Sequence, residues 1–537
     1  MLNNKFSVNS FLCALVTVFV AATANSVFAA GQATVEASTQ AGKVRGLVEE
    51  GINVFKGVRY GADTATTRFR APAKPVAWQG VVDAFDYGMQ TPQASGGGGG
   101  GLFASWANRK EDSEDCLFLN VWTPALRDGK KRPVMVWFHG GGFSSGSGSS
   151  FGYDGVRLAK RGDVVVVTVN HRLNIFGHLS LAEFGEEYAD SGNVGILDLV
   201  QSLEWVRDNI EEFGGDPSNV MIFGESGGGA KVTTLMTMPK AQGLFHRAAV
   251  QSGAWLSFIE QKDATVLSSA IIKELGLTKE TIAQIDTIPL EKIQAAARAS
   301  ATGDVRLNWG PVIDHKNLHR HSFTPDAPPA SKNIPMLIGF NRTESTLLVG
   351  PRIRGSFDAT WETLPALIAK AIPAVDADDI IGKYKALHPD YSASDVFFAA
   401  TTDAQFVRAH VAQAERKAVQ GGAPTYLYML NWDTPVDGGR WRSPHALEIG
   451  FVFDNVEKSA SMSGVGKEQQ RIADLMSEAW IAFARTGNPN NSLLPEWPAY
   501  DTETRSSMTF DLEPEVAKDI NGVERRWFDH LKMGPNG

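Results

Sequence analysis

Around Ser226 the chain reads VMIFGESGGGAKVTTLMTM, an apolar run that ends in Gly224-Glu225-Ser226-Gly227-Gly228 and gives way to a segment with helical spacing. This is the sequence form of a strand, a sharp turn and a helix, with the serine at the apex where its hydroxyl can reach a substrate. Glycines two places before and two after the serine leave room for so tight a turn, since a side chain there would collide with the neighbouring strand or helix. Ser226 is therefore a candidate nucleophile. Gly142-Phe143-Ser144-Ser145-Gly146 fits the same five-residue pattern, but the loop-like run SGSSFGYDG follows it and cannot open a helix. Context selects Ser226 over Ser144.

Several short apolar runs rich in β-branched residues read as buried strands: VMVWFH (134–139), VVVVTVN (164–170), VMIFGE (220–225), AAVQSG (248–253) and IPMLIGF (334–340). Helical patterns lie between them. Ile196, Leu199, Val200, Leu203, Val206 and Ile210 recur at helical spacing just before the nucleophile strand, and Glu468 to Arg485 does the same near the end. Strands alternating with helices predict an α/β fold, a mostly parallel central sheet flanked by helices. Two largely helical stretches, Ser252 to Leu307 and Ala359 to Gly421, read as insertions of the kind that roof a site. The run Gly96 to Gly101, followed by Leu102, Phe103 and Trp106, reads as a mobile surface loop with an apolar tip.

The first residues, MLNNKFSVNSFLCALVTVFVAATANSVFAAG, place Lys5 ahead of an apolar stretch and end in Val27-Phe28-Ala29, with small residues where a signal peptidase reads. Residues 1–29 thus read as a secretory signal, and 30–537 as a single domain delivered to the periplasm or the exterior. Cleavage removes one positive charge and no negative one, so the formal net charge moves from -9 to -10. An acidic chain with scattered lysines and arginines points away from nucleic acid and anionic membrane, and no other stretch is long enough for a stable membrane anchor. Of the two cysteines, Cys13 falls in the signal, so Cys116 stands alone and no intramolecular disulfide can form.

A serine hydroxyl needs an adjacent base, normally a histidine whose second nitrogen is oriented by a carboxylate. In strand-turn-helix hydrolases the chain order is nucleophile, acid, histidine. Glu344 follows the strand IPMLIGF through Asn341, Arg342 and Thr343, at the carboxyl end where active sites of such sheets collect. Asp314, in PVID, is its rival, better suited to bonding backbone in a turn. The histidines beyond Glu344 are His388, His410, His445 and His530. His410 and His530 sit in helical patterns and His388 in a polar loop. His445 lies in GGRWRSPHALE, a glycine- and proline-containing loop of the kind that delivers a catalytic group to the top of a sheet. The strand VMVWFH ends in His139-Gly140-Gly141-Gly142-Phe143, whose glycine N–H groups, with that of Gly227, can form an oxyanion hole. Neither glycine run has the lysine and hydroxyl residue of a nucleotide loop.

These residues resemble the type-B carboxylesterase family of bacterial carboxylesterases, lipases and cholinesterases. Two long motifs carry the resemblance, FGGDPSNVMIFGESGG (213–228) and EDCLFLNVWTP (114–124), and shorter segments such as VFKGVRY (54–60), GFNRTES (339–345) and PHALEIGFVFD (444–454) extend it over nearly the whole mature chain. The resemblance implies an α/β-hydrolase fold with Ser226 as nucleophile, Glu344 as acid, His445 as base, and Gly141, Gly142 and Gly227 as oxyanion donors. It implies no cofactor and a small-molecule ester as the partner. Three departures stand out: Gly227 where the family commonly has alanine, loosening the start of the helix; Thr91 where many relatives place the cysteine that pairs with the equivalent of Cys116; and Ser443-Pro444 before the histidine.

Trp106 lies ten residues before Cys116, as does the choline-contacting tryptophan of cholinesterases, so it is a candidate substrate-binding residue; Trp255 is a second candidate. The cluster His315, Lys316, His319, Arg320 and His321 reads as a solvated basic turn that could attract an anion, and it lacks the carboxylate or cysteine of a metal ligand set. Simple acyl esters, aromatic esters and esters with carboxylated acyl groups, such as those of certain fungal toxins, all fit. A non-catalytic binding protein is the competing class, since the family includes adhesion proteins that commonly lose the nucleophile.

Overall fold

The apolar runs pair side by side. In the computed structural model, which describes residues 33–94, 100–303 and 305–533, they become the strands Arg132–Phe138, Val165–Val169, Gly215–Glu225, Arg247–Gln251 and Met336–Asn341. The secretory-signal reading of residues 1–29 and most of the glycine run at 96–99 lie outside the described residues.

These strands are parallel and form the centre of a 13-stranded sheet, extended in the same direction by Thr425–Leu430 and Ser506–Phe510. Antiparallel strands close both edges: Thr34–Ser38, Lys43–Glu49, Ile52–Arg59 and Phe118–Thr123 on one side, Glu515–Lys518 on the other. Successive side chains alternate between two cores. Val134, Val136, Val167, Ile222, Val250 and Ile338 face one, with the helix Val194–Asn209. Met135, Trp137, Val166, Phe223, Leu337 and Tyr428 face the other, with the helix Lys467–Thr486. Both faces are apolar because both are covered, which is why these runs do not alternate polar with apolar. Each such side chain taken from water contributes on the order of 1.5–3 kcal/mol, offset by the entropy of ordering it.

The strand order places a switch point where the chemistry is expected. From Arg132–Phe138 the chain crosses to Val165–Val169 on one side, and the next crossover returns to Gly215–Glu225 on the other. The loops leaving the carboxyl ends of Arg132–Phe138 and Gly215–Glu225 therefore diverge and leave a crevice between them.

The two helical excursions build satellite cores of their own. Gln261–Glu274 and Leu290–Ser300 pack Ile271, Ile272 and Ile293 on Phe176 and Leu181. Leu364–Ala371, Ala377–Leu387 and Ala393–Thr402 close on Leu364, Tyr384 and Phe397. The apolar residues after the glycine run depart from the expectation of a surface tip. Gly100–Trp106 is a 3-10 helix, and Leu102 and Trp106 are buried because the apolar face of this short helix docks on the second core. Among the described residues no helix is long and apolar enough to cross a membrane.

Cys116 is fully buried, with its sulfur 3.2 Å from the Thr91 hydroxyl oxygen. Burial pushes the thiol pKa up to about 12. Thiolate is the reactive species, so Cys116 in native protein should resist a thiol reagent at pH 8 and react fully after denaturation. Rapid reaction of native protein, or a dimer split by reductant, would contradict this burial.

Candidate active site

Ser226 occupies the turn between the strand Gly215–Glu225 and the helix Gly227–Thr237, with φ 55° and ψ -123°. A non-glycine residue in this region costs about 1–3 kcal/mol and persists only where its surroundings hold it. Here the Ser226 N–H donates to the Gln251 carbonyl at 2.8 Å, and the Ser226 carbonyl accepts from the Ala230 N–H at 3.0 Å. The flanking glycines follow from contact: a Cβ on Gly224 would fall 2.6 Å from the Phe138 carbonyl oxygen, and one on Gly228 only 2.0 Å from it.

Ser226, His445, Glu225 and the glycines Gly140 to Gly142 line one cavity of about 830 Å³. Glu344 lies behind it, fully buried, three residues past the end of the strand Met336–Asn341. Its Oε1 accepts from the Ser252 hydroxyl at 2.6 Å and the Asn341 N–H at 2.7 Å, and its Oε2 is 2.5 Å from His445 Nδ1. One histidine nitrogen is thus committed to a buried carboxylate. The other, Nε2, stands 3.0 Å from Glu225 Oε1 without an aligned hydrogen bond, and no hydrogen bond joins it to the Ser226 hydroxyl. Such contacts commonly tighten only when substrate binds.

Two further glutamates surround the imidazole, and the sequence reading assigned neither a role. Glu225 immediately precedes Ser226. Glu448 follows His445 by three residues and opens the helix Glu448–Val452. Both are buried. Burial raises the pKa of Glu225. Burial, then the charges of Glu225 and Glu344, push Glu448 up to about 8, so it is largely protonated at neutral pH, bonded to the Asn341 side-chain amide at 2.6 Å. For His445, burial alone would favour the neutral ring, but Glu225 and Glu344 together outweigh it and hold the pKa well above 6.5.

Across the crevice, Gly141 and Gly142 have φ of 88° and 63°, left-handed values that suit glycine. The N–H groups of Gly141, Gly142 and Gly227 have no protein acceptor among the described residues. Gly227 does more than loosen a helix start: a Cβ there would meet the Gly142 carbonyl oxygen at 2.2 Å, so the missing methyl lets the loop lie against the helix.

The other candidates sit elsewhere. Asp314 accepts the backbone N–H groups of Lys316, Asn317 and Leu318 at 3.0, 2.7 and 3.0 Å, a turn-holding role. His388 pairs with Glu524 at 2.8 Å, His410 is buried between the Phe406 carbonyl and the Ala254 N–H, and His530 is exposed. In the basic cluster, Lys316 pairs with Asp190, Arg320 with Asp326 and His321 with Glu260, so those charges are already matched. Ser144 is exposed in the loop after the glycines.

Neither tryptophan lines the cavity. Trp106 packs in the core against Phe103 and Tyr153 at 5.1 and 5.9 Å, and those two rings form the wall instead. Trp255 stacks edge-on to Phe143 at 5.5 Å, behind the glycine loop. The excursion Ala359 to Gly421 reaches the site through Phe406, whose ring stands 5.7 Å from the His445 ring. Among the described residues no group of three or more histidine, cysteine or carboxylate side chains could hold a metal ion.

A strained serine at a strand-helix turn, a buried carboxylate-histidine pair and a glycine loop at the switch point define a serine hydrolase of the α/β-hydrolase class. The comparisons narrow this further. A model of the Carboxylesterase family matches residues 32–526, and the chain belongs to that family as a carboxylic ester hydrolase. It is 36% identical over 496 residues to the para-nitrobenzyl esterase of Bacillus subtilis (strain 168), covering 91% of this chain and 97% of that protein. It is 32% identical over 480 residues to the fumonisin B1 esterase of Sphingopyxis macrogoltabida, covering 86% and 84%. The solved carboxylesterase EST55 of Geobacillus stearothermophilus superimposes with a TM-score of 0.79 at 38% identity, over 92% of this chain and all of that one.

The raised His445 pKa has a measurable sign. A base acts in its neutral form, so the acidic limb of kcat/KM should fall on the alkaline side of 6.5. Glu225→Gln removes one of the two charges that raise it and should move the limb toward lower pH. A limb that stays in place in folded Glu225→Gln protein would show that Glu225 does not set it.

Proposed function

We propose that Ser226, His445 and Glu344 carry out ester hydrolysis through an acyl-enzyme, with Gly141, Gly142 and Gly227 as the oxyanion hole. The Ser226 oxygen bonds to the ester carbonyl carbon while its proton passes to His445 Nε2, and the carbonyl oxygen becomes an anion facing the three N–H groups. The tetrahedral intermediate collapses as the carbon–oxygen bond to the alcohol breaks, and the alcohol leaves with the proton from His445. Water repeats the sequence on the acyl-enzyme and frees the acid. Glu344 holds the ring in the tautomer with Nδ1 protonated and offsets the imidazolium that forms. The observation that carries this reading is the meeting in one cavity of Ser226, the glycine loop and a histidine whose far nitrogen is 2.5 Å from a fully buried carboxylate.

The first 29 residues support export to the periplasm or exterior, with the mature chain starting at Ala30. N-terminal sequencing of the exported protein checks this. The substrate we infer is a small neutral or aromatic ester. One feature favours a second reading, an ester whose acyl part bears a carboxylate: Arg352 is exposed on the cavity wall and makes no ion pair among the described residues. The similarity to a fumonisin B1 esterase is compatible with it.

A panel of p-nitrophenyl esters decides both points. Wild-type protein should turn over the neutral members, folded Ser226→Ala should lose about a thousandfold or more in kcat, and Ser144→Ala should keep most activity. Undiminished turnover in Ser226→Ala would overturn the mechanism. Under the second reading, Arg352→Ala raises KM for carboxylated esters alone, whereas an equal KM for neutral and carboxylated members in both proteins would exclude it.

A further inference from the structure

Lys231 lies on the helix Gly227–Thr237, five residues after Ser226, and is fully buried. Its ammonium has one hydrogen bond, to the His139 carbonyl oxygen at 2.9 Å. Burial lowers its pKa to about 7, and among the described residues no carboxylate is near enough to offset the loss of water. An ammonium buried without a counter-charge is destabilising, and an apolar side chain of similar length would fill the space at less cost. The position of this charge therefore carries information.

The His139 carbonyl opens the glycine loop. From there a chain of contacts runs to the oxyanion donors. His139 Nδ1 lies 2.8 Å from the Gly140 carbonyl oxygen, and that carbonyl belongs to the peptide group whose N–H is that of Gly141. The Gly141 carbonyl, in the peptide group that carries the Gly142 N–H, accepts from the N–H groups of Ser144 and Ser145 at 3.3 and 3.1 Å. Both donor peptides are thus held by their carbonyl ends, and a hydrogen bond accepted at one end of a peptide strengthens the donor at the other.

The charged and titratable groups facing Lys231 are imidazoles. His139 stacks on His171 with centroids 4.8 Å apart, and His178 lies under the Phe143 ring at 5.2 Å, while Lys231 Nζ is 5.7 Å from that ring's centre. Burial first, and Lys231 second, hold His139 and His171 well below 6.5; burial also takes His178 to about 3. A neutral His139 bonds the Gly140 carbonyl only with its proton on Nδ1, and its Nε2 has no partner. Lys231 favours that neutral ring.

We propose that Lys231 is a positioning residue for the oxyanion hole: its amino group anchors the His139 carbonyl and, through His139 and Gly140, orients the Gly141 N–H beside that of Gly142. The proposal rests on the esterase mechanism above. A donor oriented there acts on the oxyanion of the tetrahedral intermediate more than on the ground-state ester, so losing its anchor lowers kcat and leaves KM nearly unchanged. A side chain that served only the fold would not separate the two constants.

Lys231→Met and Lys231→Gln test this through kcat, KM, thermal unfolding, and affinity for a trifluoromethyl ketone, which forms a tetrahedral adduct on a reactive serine. Lys231→Met should lose at least about tenfold in kcat, with KM within about threefold, and adduct affinity should fall by the same factor as kcat. Its thermal midpoint should be unchanged or higher, because an unpaired buried charge is gone. Lys231→Gln keeps a donor for the His139 carbonyl and should fall between. Lys231→Met with kcat and adduct affinity within about twofold of an active wild type would overturn this proposal alone. Failure of both variants to fold would assign Lys231 to stability and overturn it as well. A wild type with no esterase activity, or whose activity survives Ser226→Ala, would remove the underlying mechanism instead.

Discussion

The contact between His445 Nδ1 and the buried Glu344 carboxylate is the interaction on which the site depends. A carboxylate at zero exposure is costly to desolvate, by several kcal/mol even after relaxation, unless it is paired and fully hydrogen-bonded. The fold meets that requirement from three directions: the Asn341 N–H at the end of one parallel strand, the Ser252 hydroxyl at the end of its neighbour, and the imidazole. Parallel strands end in register, so their loops can deliver donors to one point. The same geometry crowds Glu225 and Glu448 around His445, and the cluster resolves the repulsion by keeping Glu448 largely protonated at neutral pH while favouring the imidazolium.

Strain on the opposite side of the crevice has the same origin. The glycines of the turn exist because Phe138, Gly142 and the helix Gly227–Thr237 approach closer than a methyl group permits. That closeness fixes the Gly142 backbone relative to Ser226, which a longer or looser turn could not do. Lys231 stands behind this junction, reached from the helix that the turn begins. The sheet, the turn and the loop thus share one set of contacts, and a change at any of them reaches the oxygen of the serine.

Much of this was legible in the residues. The central strands were readable because both of their faces are buried, which leaves unbroken apolar runs, and the turn at Ser226 because tight backbone demands glycine at fixed offsets. Chain order and strand-end position led to Glu344 and His445. Thr425–Leu430 and Ser506–Phe510 were not singled out, since TYLYML and SSMTF mix aromatic or polar residues with aliphatic ones and do not read as β-branched runs. The chain spacing that singled out Trp106 does not say which way a ring turns, and its ring packs against Phe103 and Tyr153. Glu225, Glu448 and Lys231 lay inside quoted motifs, but their importance comes from burial, which one sequence does not display.

If Ser226, and no other serine, is the nucleophile activated by the Glu344–His445 pair, a reagent that bonds to an activated serine marks it alone. Reaction of the intact protein with a fluorophosphonate, followed by proteolysis and mass spectrometry, addresses it directly. One phosphonate per chain is expected, located on Ser226, with labelling slowed by orders of magnitude in Glu344→Gln and His445→Ala protein. A label on Ser144 or another serine, or labelling of Ser226 at an unchanged rate in both variants, would contradict it.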